Sequence, residues 1–224
     1  MSFFQLIAKT KCPFASNARV VLFPRELDAE SLADGLRHSV SSVLRSLGTH
    51  NQEDCPDMIV VSVQSTSLCY DIASGASFLH TLLAVMYLAT GRPLSSLYSG
   101  IDSLSWNFVI SGTPTFVLVF APFYHKAHIR YSHTPGTAYF CFQPDSSFER
   151  QSISSKLRNR RELSEDIRRS FESSGVYYFG NLTQNSPKSY RFIKPLRRSD
   201  PAVCWWLSPL LLDLGSEPVP APSP

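Results

Sequence analysis

The sequence lacks the short motifs that mark the commonest enzyme chemistries. Its 10 glycines form neither a G-x-G-x-x-G fingerprint nor a G-x-x-x-x-G-K-[ST] loop, so nothing supports a nucleotide-driven enzyme. No G-x-S-x-G turn is present to expose a nucleophilic serine. No H-E-x-x-H pair is present to bind zinc. Candidate functional residues must therefore be identified without the help of a common catalytic motif.

Cysteine is also sparse, and long apolar runs are missing. The five cysteines, Cys12, Cys55, Cys69, Cys141 and Cys204, form no C-x-x-C pair, so their spacing gives no support to a zinc site or a disulfide framework. No signal peptide is recognisable. The most apolar helical stretch, residues 78–89, is too short to span a bilayer and contains His80. We expect a cytoplasmic protein without a membrane partner.

Charge is nearly balanced over the whole chain but uneven along it. The formal net charge of +3 is too small to imply a nucleic-acid-binding protein. Residues 150–198 carry twelve basic and four acidic residues, a pattern typical of a solvated helix face, although an anion-facing surface would look the same. We expect one domain over residues 1–198. The Pro-rich residues 199–224 are expected to be a disordered tail.

The hydrophobic periodicity predicts an α+β fold, a single domain with a mainly antiparallel sheet flanked by helices. Helices are expected after Asp28 as far as Gly48, over residues 77–90 and over the charged residues 152–173. Strands are expected over residues 58–65 and 138–144, with a hairpin in residues 106–122 that turns at residues 111–114.

Three of the six histidines lie within residues 120–136, which form a loop between two predicted strands. A neutral imidazole there, from His125, His128 or His133, could hold a metal or haem iron or relay protons. Arg130 could pair with a carboxylate or a haem propionate through its planar guanidinium. The alternative is a polar loop of solvated histidines with a surface salt bridge of little energetic value.

Five segments in this order resemble the YqcI/YcgG-like proteins: CPFA at residues 12–15, WNFVISGTPTFVLVFAPFY at 106–124, HIRYS at 128–132, FQPDSSF at 142–148 and IRRSFESSG at 167–175. That family includes haem-dependent N-hydroxylases of guanidine compounds in the cycloserine and guanitoxin pathways. The resemblance places Arg130 and Ser132 in the Arg-x-Ser slots of the family. His128 lies two residues before Arg130 and His125 five before it.

The resemblance implies a haem b cofactor and an N-hydroxylating monooxygenase that acts on a guanidine or amine and draws on an electron donor. It implies His128 as the iron ligand, with His125 as runner-up. Arg130, Ser132 and Trp106 would complete the cofactor site. A cationic substrate would need a carboxylate, for which Asp102, Asp145 and Glu149 lie near the motifs. A homodimer is possible within this interpretation, and nucleic acid is not an expected partner.

Two alternatives remain open. One is a protein that binds haem or another small ligand without turnover. The other is an interaction protein whose basic helix, residues 156–169, contacts an acidic or nucleic-acid partner.

Overall fold

The computed structural model describes residues 17–23, 29–48, 55–64, 67–150, 157–177 and 186–214. This part of the chain contains five strands and five α-helices. The strands are β1 (Ala18–Leu22), β2 (Met58–Gln64), β3 (Val109–Ile110), β4 (Thr113–Phe120) and β5 (Thr137–Pro144). The helices are α1 (Ala29–Leu47), α2 (Ile72–Ala89), α3 (Leu94–Tyr98), α4 (Ser146–Arg150) and α5 (Leu157–Ser173), followed by 3-10 turns at Lys188–Arg191 and Trp205–Leu207.

The strands form one five-stranded sheet in the order β1-β2-β5-β4-β3. The predicted α+β class is confirmed, but the sheet is mixed rather than mainly antiparallel, because β1 runs parallel to β2. The remaining neighbours pair in antiparallel fashion. The parallel pair arises because the long connection through α1 returns the chain to its starting end, which a tight hairpin cannot do.

The main core lies on one face of the sheet, under α1 and α2. The helix predicted after Asp28 is confirmed by α1, and its apolar residues at helical spacing are all buried: Leu32, Leu36, Val40, Val43 and Leu47. Helix α2 starts five residues earlier than predicted, because the Asp71 side chain accepts from the Ser74 N–H and Ser74 Oγ accepts from the Asp71 N–H. By length and composition α2 could cross a membrane, yet 67% of it is buried within the fold.

The predicted hairpin is confirmed by β3 and β4, which pair across Ser111 and Gly112. Both turn residues have positive φ, 49° and 78°, as the two-residue turns that suit twisted strands require. Strand β5 follows as predicted and is buried along its whole length. Helix α5 is described from Leu157, and the predicted start at residues 152–156 lies outside the described residues.

We expect Gly112→Ala to lower the free energy of unfolding by about 1 kcal/mol, because a Cβ is strained at this φ although nothing lies within 4 Å of it. Ser111→Gly is the matched control and should change it by less than about 0.5 kcal/mol. Urea denaturation of both variants measures the difference. An unchanged Gly112→Ala midpoint would mean that the turn does not hold this conformation.

Part of the predicted disordered tail, residues 199–224, belongs to the folded structure. Trp205 is fully buried and Trp206 nearly so, within the aromatic part of the core. The prediction of a disordered tail is therefore wrong for residues 199–214, because Trp205 and Trp206 are buried in the core despite the prolines around them. Residues 215–224 of the predicted tail lie outside the described residues.

Candidate functional site

The loop between β4 and β5, residues 121–136 and hereafter the site loop, carries the histidine cluster. Its base is closed by two backbone hydrogen bonds, from Ala121 N–H to the Arg130 carbonyl (2.9 Å) and from Ser132 N–H to the Ala121 carbonyl (3.2 Å). A tight turn also forms where His128 N–H donates to the His125 carbonyl at 2.7 Å. The site loop thus folds back beside the end of β4, and several of its side chains point inward.

His128 is one of the inward side chains and is only 3% exposed. Its Nδ1 accepts the Arg130 backbone N–H at 2.9 Å, so the proton lies on Nε2, which faces the Pro195 carbonyl at 3.2 Å. The ring stacks on Tyr124 with centroids 4.2 Å apart. Burial and the nearby charge of Arg130 lower the pKa of His128 to about 3, so it is neutral at physiological pH.

Arg130 and Ser132, the Arg-x-Ser pair, are also buried. The Arg130 guanidinium lies over the Phe120 ring, 5.0 Å from its centroid, and its Nη2 donates to the Arg191 carbonyl at 3.3 Å. Ser132 donates through Oγ to the Thr134 carbonyl at 3.1 Å. Ser132 therefore stabilises the site loop itself, whereas Arg130 brings a positive charge into it.

A second segment, residues 190–195 and hereafter the strap, covers the site loop. The Tyr124 hydroxyl donates to the Lys194 carbonyl at 2.8 Å and accepts the Lys194 N–H at 3.1 Å. The Lys194 side chain is 6% exposed. Burial, followed by the charges of Arg130 and Arg191, lowers the pKa of Lys194 to about 7. The strap therefore places a second buried basic side chain, after Arg130, close to His128.

The end of α5 contacts the outer side of the site loop. Ile129 is buried in a small cluster with Phe171 and Val176, against which Ile167 packs. The Tyr177 N–H donates to the Ala127 carbonyl at 2.8 Å. Ile167 and Phe171, two apolar residues of the otherwise charged helix α5, therefore pack on the site loop.

The other two histidines of the site loop differ from His128. His125 is exposed, and its Nδ1 accepts the Ala127 N–H at 3.2 Å. His133 is half-buried in a left-handed conformation (φ 55°) and makes an edge contact with Tyr131. Burial lowers the pKa of His133. The three histidines therefore do not converge on one point.

Trp106 and His80 belong to the core rather than to the site loop. Trp106 donates through Nε1 to the Leu97 carbonyl at 3.1 Å and packs on Phe192 and Trp205. His80 is hydrogen-bonded to the Tyr98 hydroxyl at 2.6 Å and to the Ser208 carbonyl at 2.7 Å. His80 is therefore a buried, hydrogen-bonded histidine of the core.

The acidic candidates for a cationic substrate lie at the surface. Asp145 forms a salt bridge with Lys188 at 3.6 Å, and Glu149 and Asp102 are exposed. Cys12 and the CPFA segment around it lie outside the described residues. Of the residues that the sequence singled out, the structure therefore brings together His128, Arg130 and Ser132.

The buried residues fit only part of the expected haem site. A histidine binds iron through a ring-nitrogen lone pair, and in His128 one nitrogen accepts a hydrogen bond while the other faces a carbonyl. His128 in this conformation therefore does not fit an iron ligand. His125 is open to solvent, without the buried setting of His128. Arg130 has the charge and the planar donor geometry to hold a carboxylate such as a propionate.

Sequence reasoning missed Tyr124, Arg191 and Lys194. The lysine stands in the stretch Arg191-Phe192-Ile193-Lys194-Pro195, where two buried apolar residues separate two cations. This pattern indicates a segment that packs on the core through its apolar residues and leaves its basic side chains on another side. It does not indicate which loop these basic side chains contact.

The described residues contain no group of three His, Cys, Asp or Glu side chains that could hold a metal ion. Comparison of the chain with protein-family models, curated proteins and solved structures finds no match.

Proposed function

We propose that this chain is a small-ligand-binding protein whose site lies where the strap crosses the site loop. The observation that carries the proposal is the burial of a neutral His128 together with two cationic side chains, Arg130 and Lys194. Buried groups with strongly perturbed pKa values concentrate at functional sites.

The state of His128 favours binding over proton-transfer catalysis. A general acid or base works best with a pKa near the operating pH, and the pKa of His128 is lowered to about 3. Both ring nitrogens are also hydrogen-bonded within the protein. His128 therefore positions the backbone of Arg130 and Pro195, and its neighbours remain to contact the ligand.

A panel of neutral, cationic and anionic metabolites, added to the full chain at constant ionic strength, tests this proposal by thermal shift. We expect one chemical class to raise Tm saturably, as a ligand specific for the folded state must. Arg130→Gln should abolish the rise, whereas Arg92→Gln, in the connection after α2 and outside the site, should not. Absence of any saturable rise across the panel would overturn the proposal.

A second candidate is the haem-dependent N-hydroxylase of guanidines or amines that the family resemblance implies. The retained order of hairpin, histidine loop and FQPDSSF strand, with an exposed His125 on the loop, favours it. Haem would supply the oxidising chemistry. Arg130 would hold a haem propionate. A cytoplasmic location would agree with the free thiols of Cys55, Cys69, Cys141 and Cys204.

The absorption spectrum of the protein expressed with added haem tests the second candidate. A Soret band that is lost in His125→Ala, or in His128→Ala, and retained in the control His38→Ala would support it and identify the ligand. A protein that folds but shows no Soret band would exclude it. Oxygen-dependent turnover of guanidines with a reductant then separates a hydroxylase from a haem carrier.

A further inference from the structure

Strand β1 lies at one end of the sheet, and within the described residues β2 is its one neighbour. It is apolar yet open to solvent, since Val20 is 43% and Leu22 72% exposed. Edge strands are templates for pairing with another chain, and proteins commonly protect them with charges, prolines or bulges. The five residues of β1 contain no proline and one charge, Arg19, whose Nη1 donates to Ser46 Oγ on α1 at 3.0 Å.

Alternate residues of β1 direct their backbone groups away from β2. The Phe23 N–H donates to the Ser62 carbonyl at 2.9 Å, and the Asn17 carbonyl accepts the Asp57 N–H at 3.0 Å. Because the backbone groups of successive strand residues point to opposite sides, the odd-numbered residues here face β2. The N–H and carbonyl groups that face away from the sheet are therefore those of Ala18, Val20 and Leu22.

The side chains of the same three residues share one face of the sheet, because residues two apart in a strand point the same way. Ala18 packs on the small apolar cluster that contains Met58 and Val60, and Val20 is paired with Val60. Val20 and Leu22 therefore extend this cluster to the edge of the sheet, where they meet solvent. A strand added beside β1 would cover both side chains and bind the outward backbone groups.

We infer that β1 pairs in antiparallel fashion with β1 of a second copy of this chain, about a two-fold axis at Val20. A two-fold contact requires a surface that is complementary to itself. In this register Val20 faces the partner's Val20, and Ala18 faces the partner's Leu22. Such pairs exchange both N–H···O bonds, so the outward groups of both copies are all satisfied. The inference is independent of the ligand-binding function proposed above.

The side chains fit the same register. The small Ala18 lies opposite the larger Leu22 on both sides of the axis, and the two valines meet at the centre, so the apolar clusters of the two copies become continuous. Arg19 lies opposite the partner's Val21, so no like charges face each other directly. A peptide from another protein would satisfy the backbone groups equally well, but this match of size and charge is a property of the β1 edge against itself.

Sedimentation equilibrium of the full chain over a range of concentrations tests the inference. Five paired residues form a small interface, so we expect the mass to rise from 25.1 kDa towards twice that value as the concentration approaches about 100 µM. Val20→Lys places two lysines opposite each other at the axis and should weaken dimerisation about tenfold or more. The control is Leu104→Lys, at a side chain 69% exposed that precedes β3 at the other end of the sheet, and it should leave dimerisation unchanged.

Cysteine cross-linking tests the register. In Val20→Cys the two new residues meet at the axis with their Cα atoms about 5.5 Å apart, a separation that a disulfide can span. In Leu22→Cys the two lie four residues apart along the strands, about 14 Å, which a disulfide cannot span. Oxidation with copper phenanthroline should therefore cross-link Val20→Cys more strongly than Leu22→Cys on a non-reducing gel. The unmodified protein gives the background from the five native cysteines.

Val20 is partly exposed in the single chain, so Val20→Lys should keep the far-UV circular dichroism spectrum of the unmodified protein. If Val20→Lys does not fold, the cross-linking decides. Three results would each overturn the inference: a chain that stays monomeric at the highest concentration, a dimer that survives Val20→Lys, or cross-linking no stronger in Val20→Cys than in Leu22→Cys. An edge that pairs with a different protein would give the first of them.

Discussion

Trp205→Ala is expected to lower the free energy of unfolding by about 4 kcal/mol. Trp205 is fully buried, stacks on Phe192 at 5.9 Å with the planes 11° apart, and donates through Nε1 to the Ser189 carbonyl at 2.9 Å. Its removal leaves a large cavity in the aromatic core and an acceptor without its donor. Urea denaturation followed by far-UV circular dichroism measures the loss.

Leu207→Ala is the matched control, because Leu207 belongs to the same 3-10 turn but is 49% exposed. It should change the free energy of unfolding by less than about 0.5 kcal/mol. If Trp205→Ala were as mild as Leu207→Ala, residues 199–214 would not close the core, and the sequence-based assignment of a disordered tail would be restored.

The same tryptophan connects stability with the site. Phe192 stacks on Trp205, and its carbonyl accepts the Val119 N–H at 3.0 Å, so the middle of the strap is fixed to β4 and to the core. Its flanking residues Arg191 and Lys194 then have little freedom of position. A loss of Trp205 should therefore also weaken ligand binding where the strap crosses the site loop, even in conditions where the variant remains folded.

Local signals in the sequence were sufficient for much of the fold. Gly112 beside Ser111 indicates the hairpin, and the helical spacing of Leu36, Val40 and Val43 indicates the buried face of α1. These features depend on residues within a few positions of each other, where propensity and periodicity act. The direction of β1 was not accessible in this way, because it depends on how a long connection packs, not on the strand's own residues.

In the candidate site too, the features set by neighbouring residues could be predicted and those set by distant residues could not. The site loop could be predicted from its flanking strands, and Arg130 from its place in the loop. The state of His128 could not, because its Nε2 faces the carbonyl of Pro195, 67 positions along the chain. Spacing within a loop shows which histidines are neighbours, but only the strap determines that His128 is buried and neutral while His125 is exposed.

The second large effect expected is on stability in mild acid. His128 has a folded-state pKa of about 3 against about 6.5 for an unfolded chain, so below pH 6.5 the unfolded state binds the extra proton. Its contribution to stability is complete above pH 6.5 and is lost as the pH falls towards 3. Between pH 7.5 and pH 5 we expect it to reduce the free energy of unfolding by about 2 kcal/mol.

His128→Gln isolates this contribution, since an amide can still accept from the Arg130 N–H and donate to the Pro195 carbonyl but does not titrate. Urea denaturation at a series of pH values should give a flatter profile for His128→Gln than for the unmodified protein. His38→Gln, on the exposed side of α1, should leave the profile unchanged. His80, whose pKa burial also lowers, titrates alike in all three proteins and therefore cancels in the comparison.

Parallel profiles for His128→Gln and the unmodified protein would mean that His128 titrates as it does in an unfolded chain. Its ring would then be reached by solvent, with at least one nitrogen released from Arg130 or Pro195. That outcome would remove the argument against His128 as an iron ligand and move the haem-dependent candidate ahead of simple ligand binding. A flattened profile would instead show that His128 stays in the neutral, doubly hydrogen-bonded state, and it would keep simple ligand binding ahead of the haem-dependent candidate.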